Sequence, residues 1–165
     1  LLYIGRIKIE KGIYSLLDII KNTSNELSLS VVGAERNYPK KHKDIRWTFQ
    51  NNVNVYEIER NKKKLIKFYD NHNIFILPSF TEGHPMALLE ALARKRPVIV
   101  FEEIKHVVGD KKGIFVSKRN LNSLIEKINY IKTNYKAISK QMDQNKLPTN
   151  KDFIKEFENL ISNSH

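Results

Sequence analysis

Along this chain, short unbroken apolar runs are separated by stretches whose apolar residues recur at helical spacing. Residues 1–5 predict a buried strand, after which Ile13, Leu16, Leu17 and Ile20 mark one helix face. A second strand is predicted over 27–32, ending at Gly33, and the basic stretch 38–49 carries only a weak helical pattern. Residues 53–58 predict a third strand, followed by a helix face of Leu65, Ile66, Phe68 and Tyr69. Residues 74–78 predict the fourth strand, 85–94 a helix and 97–101 the fifth strand. A shorter strand over 113–116 precedes a helical tail. Its apolar faces are Leu121, Leu124, Ile125, Ile128 and Ile131, then Phe153, Phe157, Leu160 and Ile161. The joint expected to flex is 145–150.

Strands that alternate with helices and are rich in Val, Ile and Leu without period-two patterning belong to a parallel sheet covered on both faces. The fold class is therefore α/β, a doubly wound parallel sheet of about six strands with helices on both faces. The commonest order, 3-2-1-4-5-6, makes strands 1 and 4 neighbours at the switch point, where ligands bind beyond the carboxyl ends of strands. Two loops would converge there, Gly5-Arg-Ile-Lys-Ile-Glu-Lys-Gly12 and Ser79-Phe-Thr-Glu-Gly-His-Pro85.

The length of 165 residues suits one domain, 1–165, but is short for a two-lobed enzyme. No apolar run approaches the roughly 20 residues of a membrane span, and no signal-peptide pattern is present. The absence of cysteine excludes a disulfide framework and a thiolate metal site. A net charge of +11 comes from scattered lysines, with clusters at Lys40-Lys41-His42-Lys43 and Lys62-Lys63-Lys64. A solvated surface is the ordinary reading of that pattern, and an anionic membrane surface is the sharper one. Nucleic acid is not expected as a partner: no recognition motif accompanies the charge, and Tyr69, Phe75 and Phe80 fall in segments that read as core.

The chemistry concentrates between Leu77 and Ala93. Glu82 sits in a loop, and Glu90 is the one charge in the apolar run Met86 to Ala93. A carboxylate in such a run needs a hydrogen-bonding partner, so something polar should lie against that helix. Pro85 suits the first helical turn and leaves the amides of Met86 and Ala87 at the positive end of the helix dipole. Gly83 permits close backbone approach to a ligand. Arg6 and Lys11 provide a guanidinium fork and a point charge for a diphosphate, while Glu82 and Glu90 can each accept from polyol hydroxyls. Phosphates between two hydroxyl-bearing rings describe a nucleotide sugar.

These segments resemble the donor-binding C-terminal lobe of family 4 glycosyltransferases of the GT-B fold, a Rossmann-like domain. The resemblance rests on Gly5-Arg6 with Glu10-Lys11-Gly12, Pro78-Ser79, Glu82-Gly83-His84-Pro85 through Leu89-Glu90-Ala91, Pro97-Val98-Ile99 and, more loosely, Gly113-Ile114-Phe115-Val116. It covers roughly residues 1–135 in the family's order. The departures are Gly33-Ala34-Glu35 in place of a glycine pair, which counts against a close backbone approach there, Glu57 in place of a glycine, and a shortened stretch Glu102-Glu103-Ile104-Lys105-His106 in which His106 roughly takes the place of a glutamate.

The resemblance implies a retaining transfer of a hexose from a UDP- or GDP-sugar to a glycan or lipid-linked acceptor. It assigns Arg6 and Lys11 to the leaving diphosphate and Glu82 to hexose hydroxyls, helped by the amides of Gly83 and His84. Glu90 would take the ribose hydroxyls, and the amides of Met86 and Ala87 would face phosphate. No metal and no other cofactor is expected; no Asp-x-Asp pair occurs to carry one. His84 and His106 read as positional, since neither has a recognisable nucleophile or triad partner. The N-terminal acceptor-binding lobe is expected to be missing, so that the chain alone would be inactive, and the location implied is cytoplasmic, peripheral on the inner membrane face. The alternatives are a nucleotide-sugar binding module that needs a partner lobe or subunit, and an epimerase of the same two-lobed fold.

Overall fold

A computed structural model describes residues 1–21, 23, 27–35, 52–148 and 152. The predicted helix over 38–49, the cluster at Lys40–Lys43 and the apolar face from Phe153 to Ile161 lie outside the described residues.

Six strands, β1 (Leu2–Ile4), β2 (Leu29–Ala34), β3 (Val53–Glu57), β4 (Phe75–Leu77), β5 (Val98–Phe101) and β6 (Ile114–Ser117), form one sheet. Its order is β3-β2-β1-β4-β5-β6 and every pair is parallel. The expected fold class and order are therefore present. Four helices, α1 (Ile13–Ile20), α2 (Lys62–Asp70), α3 (Met86–Ala93) and α4 (Leu121–Met142), accompany it among the described residues. Strand order reverses between β1 and β4, so right-handed crossovers place α1 and α3 on opposite faces. Burial of every residue in β2, β4 and β5 follows from that double cover.

Local sequence explains where the elements begin. Asn61 caps α2 by accepting from the Lys64 amide at 3.2 Å, and Asn120 caps α4 by accepting from the Ser123 amide at 2.9 Å. In α4, Leu124, Ile128, Ile131, Ile138 and Met142 form the buried stripe. α3 stops where Lys95 turns left-handed at φ 54°.

Three expectations shift. β2 does not end at Gly33 but runs through Ala34, with a register irregularity between Val32 and Ala34. Gly33 has φ 138°, and a Cβ there would stand 2.0 Å from the Gly5 carbonyl oxygen. A close backbone approach does occur at this loop, against β1's own exit turn. Ile66, placed on the inner face of its helix by spacing, is 42% exposed, and Tyr69 is the buried residue of α2.

Candidate functional site at the switch point

The loops after β1 and β4 meet, as their placement at the switch point requires. Gly12 follows the 3-10 turn Ile9–Lys11 with φ 67°, and a Cβ there would lie 1.9 Å from the Pro78 carbonyl oxygen. Only glycine tolerates both conditions. The Phe80 amide donates to the Glu10 carbonyl at 3.0 Å, sewing one loop to the other.

This seam carries the polar cluster. Lys11 Nζ donates to Glu82 Oε1 at 2.7 Å, and the fully buried Ser79 hydroxyl donates to the same oxygen at 2.6 Å. Both bonds fall on Oε1, which leaves Oε2 without a bond among the described residues. Glu82's side chain is only 10% exposed, so its charge is compensated chiefly by Lys11. The Glu82 carbonyl accepts from His106 Nε2 at 2.7 Å, which makes that histidine a support of the loop.

Tyr3 lies beneath the β1 exit and donates to the Arg6 carbonyl at 2.8 Å. Burial first, then the negative charges of Glu82 and Glu10, push its hydroxyl well above the ordinary tyrosine range, so it remains a donor. Arg6 itself is exposed, and its guanidinium has no bond within the described residues. Arg119, between β6 and α4, donates to the Pro78 carbonyl at 2.9 Å, the Ser79 carbonyl at 3.2 Å and Glu103 at 2.7 Å. Its guanidinium sits 4.0 Å from the Phe80 ring centroid and 4.3 Å from that of Phe101. Hydrogen bonding to Arg119 holds the Glu103 carboxyl below its usual range.

The remaining expected residues flank the amino end of α3. Pro85 precedes the first helical residue, and no side chain caps the helix there, so the leading amides of Met86 and Ala87 are not closed off by a cap. Gly83, His84 and Pro85 line one cleft of about 290 Å³ with His106 and Leu89. On the other side, Glu90 lines a cleft of about 280 Å³ between α2 and α3. The polar group required against Glu90 is the Tyr69 hydroxyl, which donates to Glu90 Oε2 at 2.6 Å. Glu82 thus precedes the start of α3, and Glu90 lies one turn inside the same helix.

The chain matches the family described as glycosyl transferases group 1 over residues 1–147. It belongs to the group 1 glycosyltransferases. It is 34% identical over 133 residues to the capsular polysaccharide biosynthesis glycosyltransferase CapM of Staphylococcus aureus, covering 76% of this chain and 34% of that protein. Among solved structures, the catalytic domain of starch synthase IV from Arabidopsis thaliana, bound to ADP and acarbose, superimposes with a TM-score of 0.73 at 13% identity, covering 99% of this chain and 38% of that one. Anabaena HepE in complex with UDP and glucose gives a TM-score of 0.66 at 17% identity, covering 86% and 40%. The chain spans about a third of its capsular relative's length. It is a glycosyltransferase domain with the fold of a C-terminal GT-B lobe.

Three contributors escape a reading of the sequence. Arg119 sits 40 residues from the loop it holds and carries no motif. Phe80 reads as core yet is 42% exposed, because its ring serves as a platform for that guanidinium. Tyr69 reads as one more apolar helix residue; the signal that could have found it was the unpaired charge of Glu90 in an apolar run.

Proposed function

We propose that this domain holds the donor of a retaining, metal-independent hexosyltransferase of the family 4 type, a UDP- or GDP-sugar whose hexose passes to a glycan or lipid-linked acceptor. One observation carries the reading: Glu82 precedes the uncapped start of α3 and Glu90 lies one turn inside the same helix, with Lys11 bonded to Glu82 and Arg6 on the loop after β1. A diphosphate at the Met86 and Ala87 amides would direct a ribose toward Glu90 and a hexose toward Glu82, Gly83 and His84. The UDP, glucose and ADP held by structural neighbours of the same fold support that class of ligand.

In this reading Arg6 and Lys11 neutralise the charge that develops on the leaving diphosphate, and hydrogen bonds at Glu82 fix the sugar's orientation. Rate then comes from positioning and electrostatic stabilisation. The acceptor site belongs to a second lobe outside 1–165, so the domain alone binds donor without transferring it. The basic surface suits a cytoplasmic protein resting on an anionic leaflet. Titration calorimetry of this chain with UDP, GDP and their sugars, with and without chelator, tests the proposal. Binding at or below millimolar concentration, unaffected by chelator, is expected; no heat with any of them from a folded sample would overturn it.

A further inference from the structure

We propose that Tyr69 is a positioning residue for donor binding: its buried hydroxyl fixes one oxygen of the Glu90 carboxylate and thereby aims the other at the vicinal hydroxyls of the bound nucleotide's ribose. This rests on the donor reading above and adds to it the group that aims the carboxylate.

The geometry is specific. Tyr69 is the one fully buried residue of α2, 2% exposed, and its ring packs against Phe75 of β4 with centroids 5.9 Å apart. Its ring therefore cannot wander. The hydroxyl has one proton and two acceptors in reach, Glu90 Oε2 at 2.6 Å and the Ala87 carbonyl at 3.3 Å. The shorter, charge-assisted bond to the carboxylate takes it. Burial above all, and then the bond to Glu90, push the Tyr69 hydroxyl far above the ordinary tyrosine range, so it is protonated and donates at neutral pH.

Without this bond, Glu90 would be a three-torsion side chain on the rim of a mostly apolar cleft, with no other bond among the described residues. With it, Oε2 is occupied and Oε1 remains to accept. A carboxylate oxygen has two lone-pair sites, enough for the two adjacent hydroxyls of a ribose. A second tie between the same helices keeps the distance fixed: Arg94 of α3's end grips Asp70 of α2 through Nε at 2.9 Å and Nη2 at 2.8 Å. The α2–α3 pair is thus fastened one turn beyond the bond that matters.

The experiment uses the tighter binding of UDP and GDP, the 2′,3′-dideoxy form of the same nucleotide, and inorganic pyrophosphate, titrated into the wild-type chain, Tyr69→Phe, Glu90→Gln and the double variant. The wild type should prefer the ribose form by roughly tenfold or more. Tyr69→Phe should shrink that preference by about threefold or more, leave pyrophosphate binding unchanged, and add nothing further in the Glu90→Gln background. An undiminished ribose preference in Tyr69→Phe overturns the proposal, as does an equal loss toward pyrophosphate or an additive loss in the double variant, since either would mark a general structural role. If the wild type binds neither nucleotide, the donor reading itself fails and this assignment falls with it.

Discussion

Glu82 Oε1 accepts from both Lys11 and Ser79, so the carboxylate is held before any ligand arrives. Preorganisation of this kind spares the ordering of a flexible side chain at the moment of binding. Lys11 is the adjustable partner, because its ammonium is a rotatable point charge that can serve a carboxylate and a phosphate together. Lys11→Met should weaken nucleoside diphosphate binding by roughly tenfold while the melting temperature moves little. Calorimetry beside thermal melting checks it; a large fall in melting temperature with unchanged affinity would make the pair purely structural. Gly12 sets the opposite balance. With φ 67° and the Pro78 carbonyl 1.9 Å from any Cβ, Gly12→Ala should cost about 1–3 kcal/mol from backbone strain alone, more if the loop cannot shift. Urea denaturation reads that loss, and an unchanged midpoint would mean the two loops are not in fact locked together.

Between elements, His72 ties the carboxyl end of α2 to β2. Its Nδ1–H donates to the Phe68 carbonyl at 2.6 Å and its Nε2 accepts from the Ser30 hydroxyl at 2.8 Å, an arrangement that fits the neutral ring. Burial lowers its pKa below the ordinary 6.5, outweighing the opposing pull of the Phe68 carbonyl. The unfolded chain therefore binds this proton more readily than the folded one. Stability from His72 is complete above about pH 6.5 and is lost as pH falls through the depressed folded value. Melting temperature should decline as pH falls below about 6.5 in the wild type, and less steeply in His72→Gln; equal slopes would exclude His72 as the cause. Such ties also show what a sequence can and cannot display. Strand order and the meeting of the two loops were legible, because apolar runs and crossover handedness are local or general properties. Glu82, Glu90 and Lys11 were legible as chemistry set in unusual surroundings. Arg119, Tyr69 and the true exposure of Phe80 and Ile66 were not, because their roles arise from neighbours distant in sequence. Gly33 misled for the same reason: its close approach is to Gly5, a partner that only the folded sheet brings near.

At the scale of the molecule, charge distribution decides what the surface can meet. Every strand is parallel, so the carboxyl edge of the sheet carries the β1 and β4 loops, the start of α3 and also the start of α2. Lys62, Lys63 and Lys64 are exposed at that α2 start, where the helix dipole makes cations unfavourable. Three lysines stand against the dipole on the edge that carries the site, and the anionic leaflet proposed above would compensate them. Within a Debye length of an anionic leaflet each contributes about 1 kcal/mol, so together they supply roughly 3 kcal/mol, about a hundredfold in partitioning. Sedimentation with phosphatidylserine-rich vesicles should therefore retain the chain, phosphatidylcholine vesicles should not, and raised salt should release it. Replacing all three lysines with glutamine preserves the Asn61 cap and the helix-forming character of the turn, so α2 should persist. Vesicle binding should then fall by about a hundredfold. Retention indifferent to lipid charge, or unchanged in the triple variant, would remove this edge from the membrane and leave its charge to the donor alone.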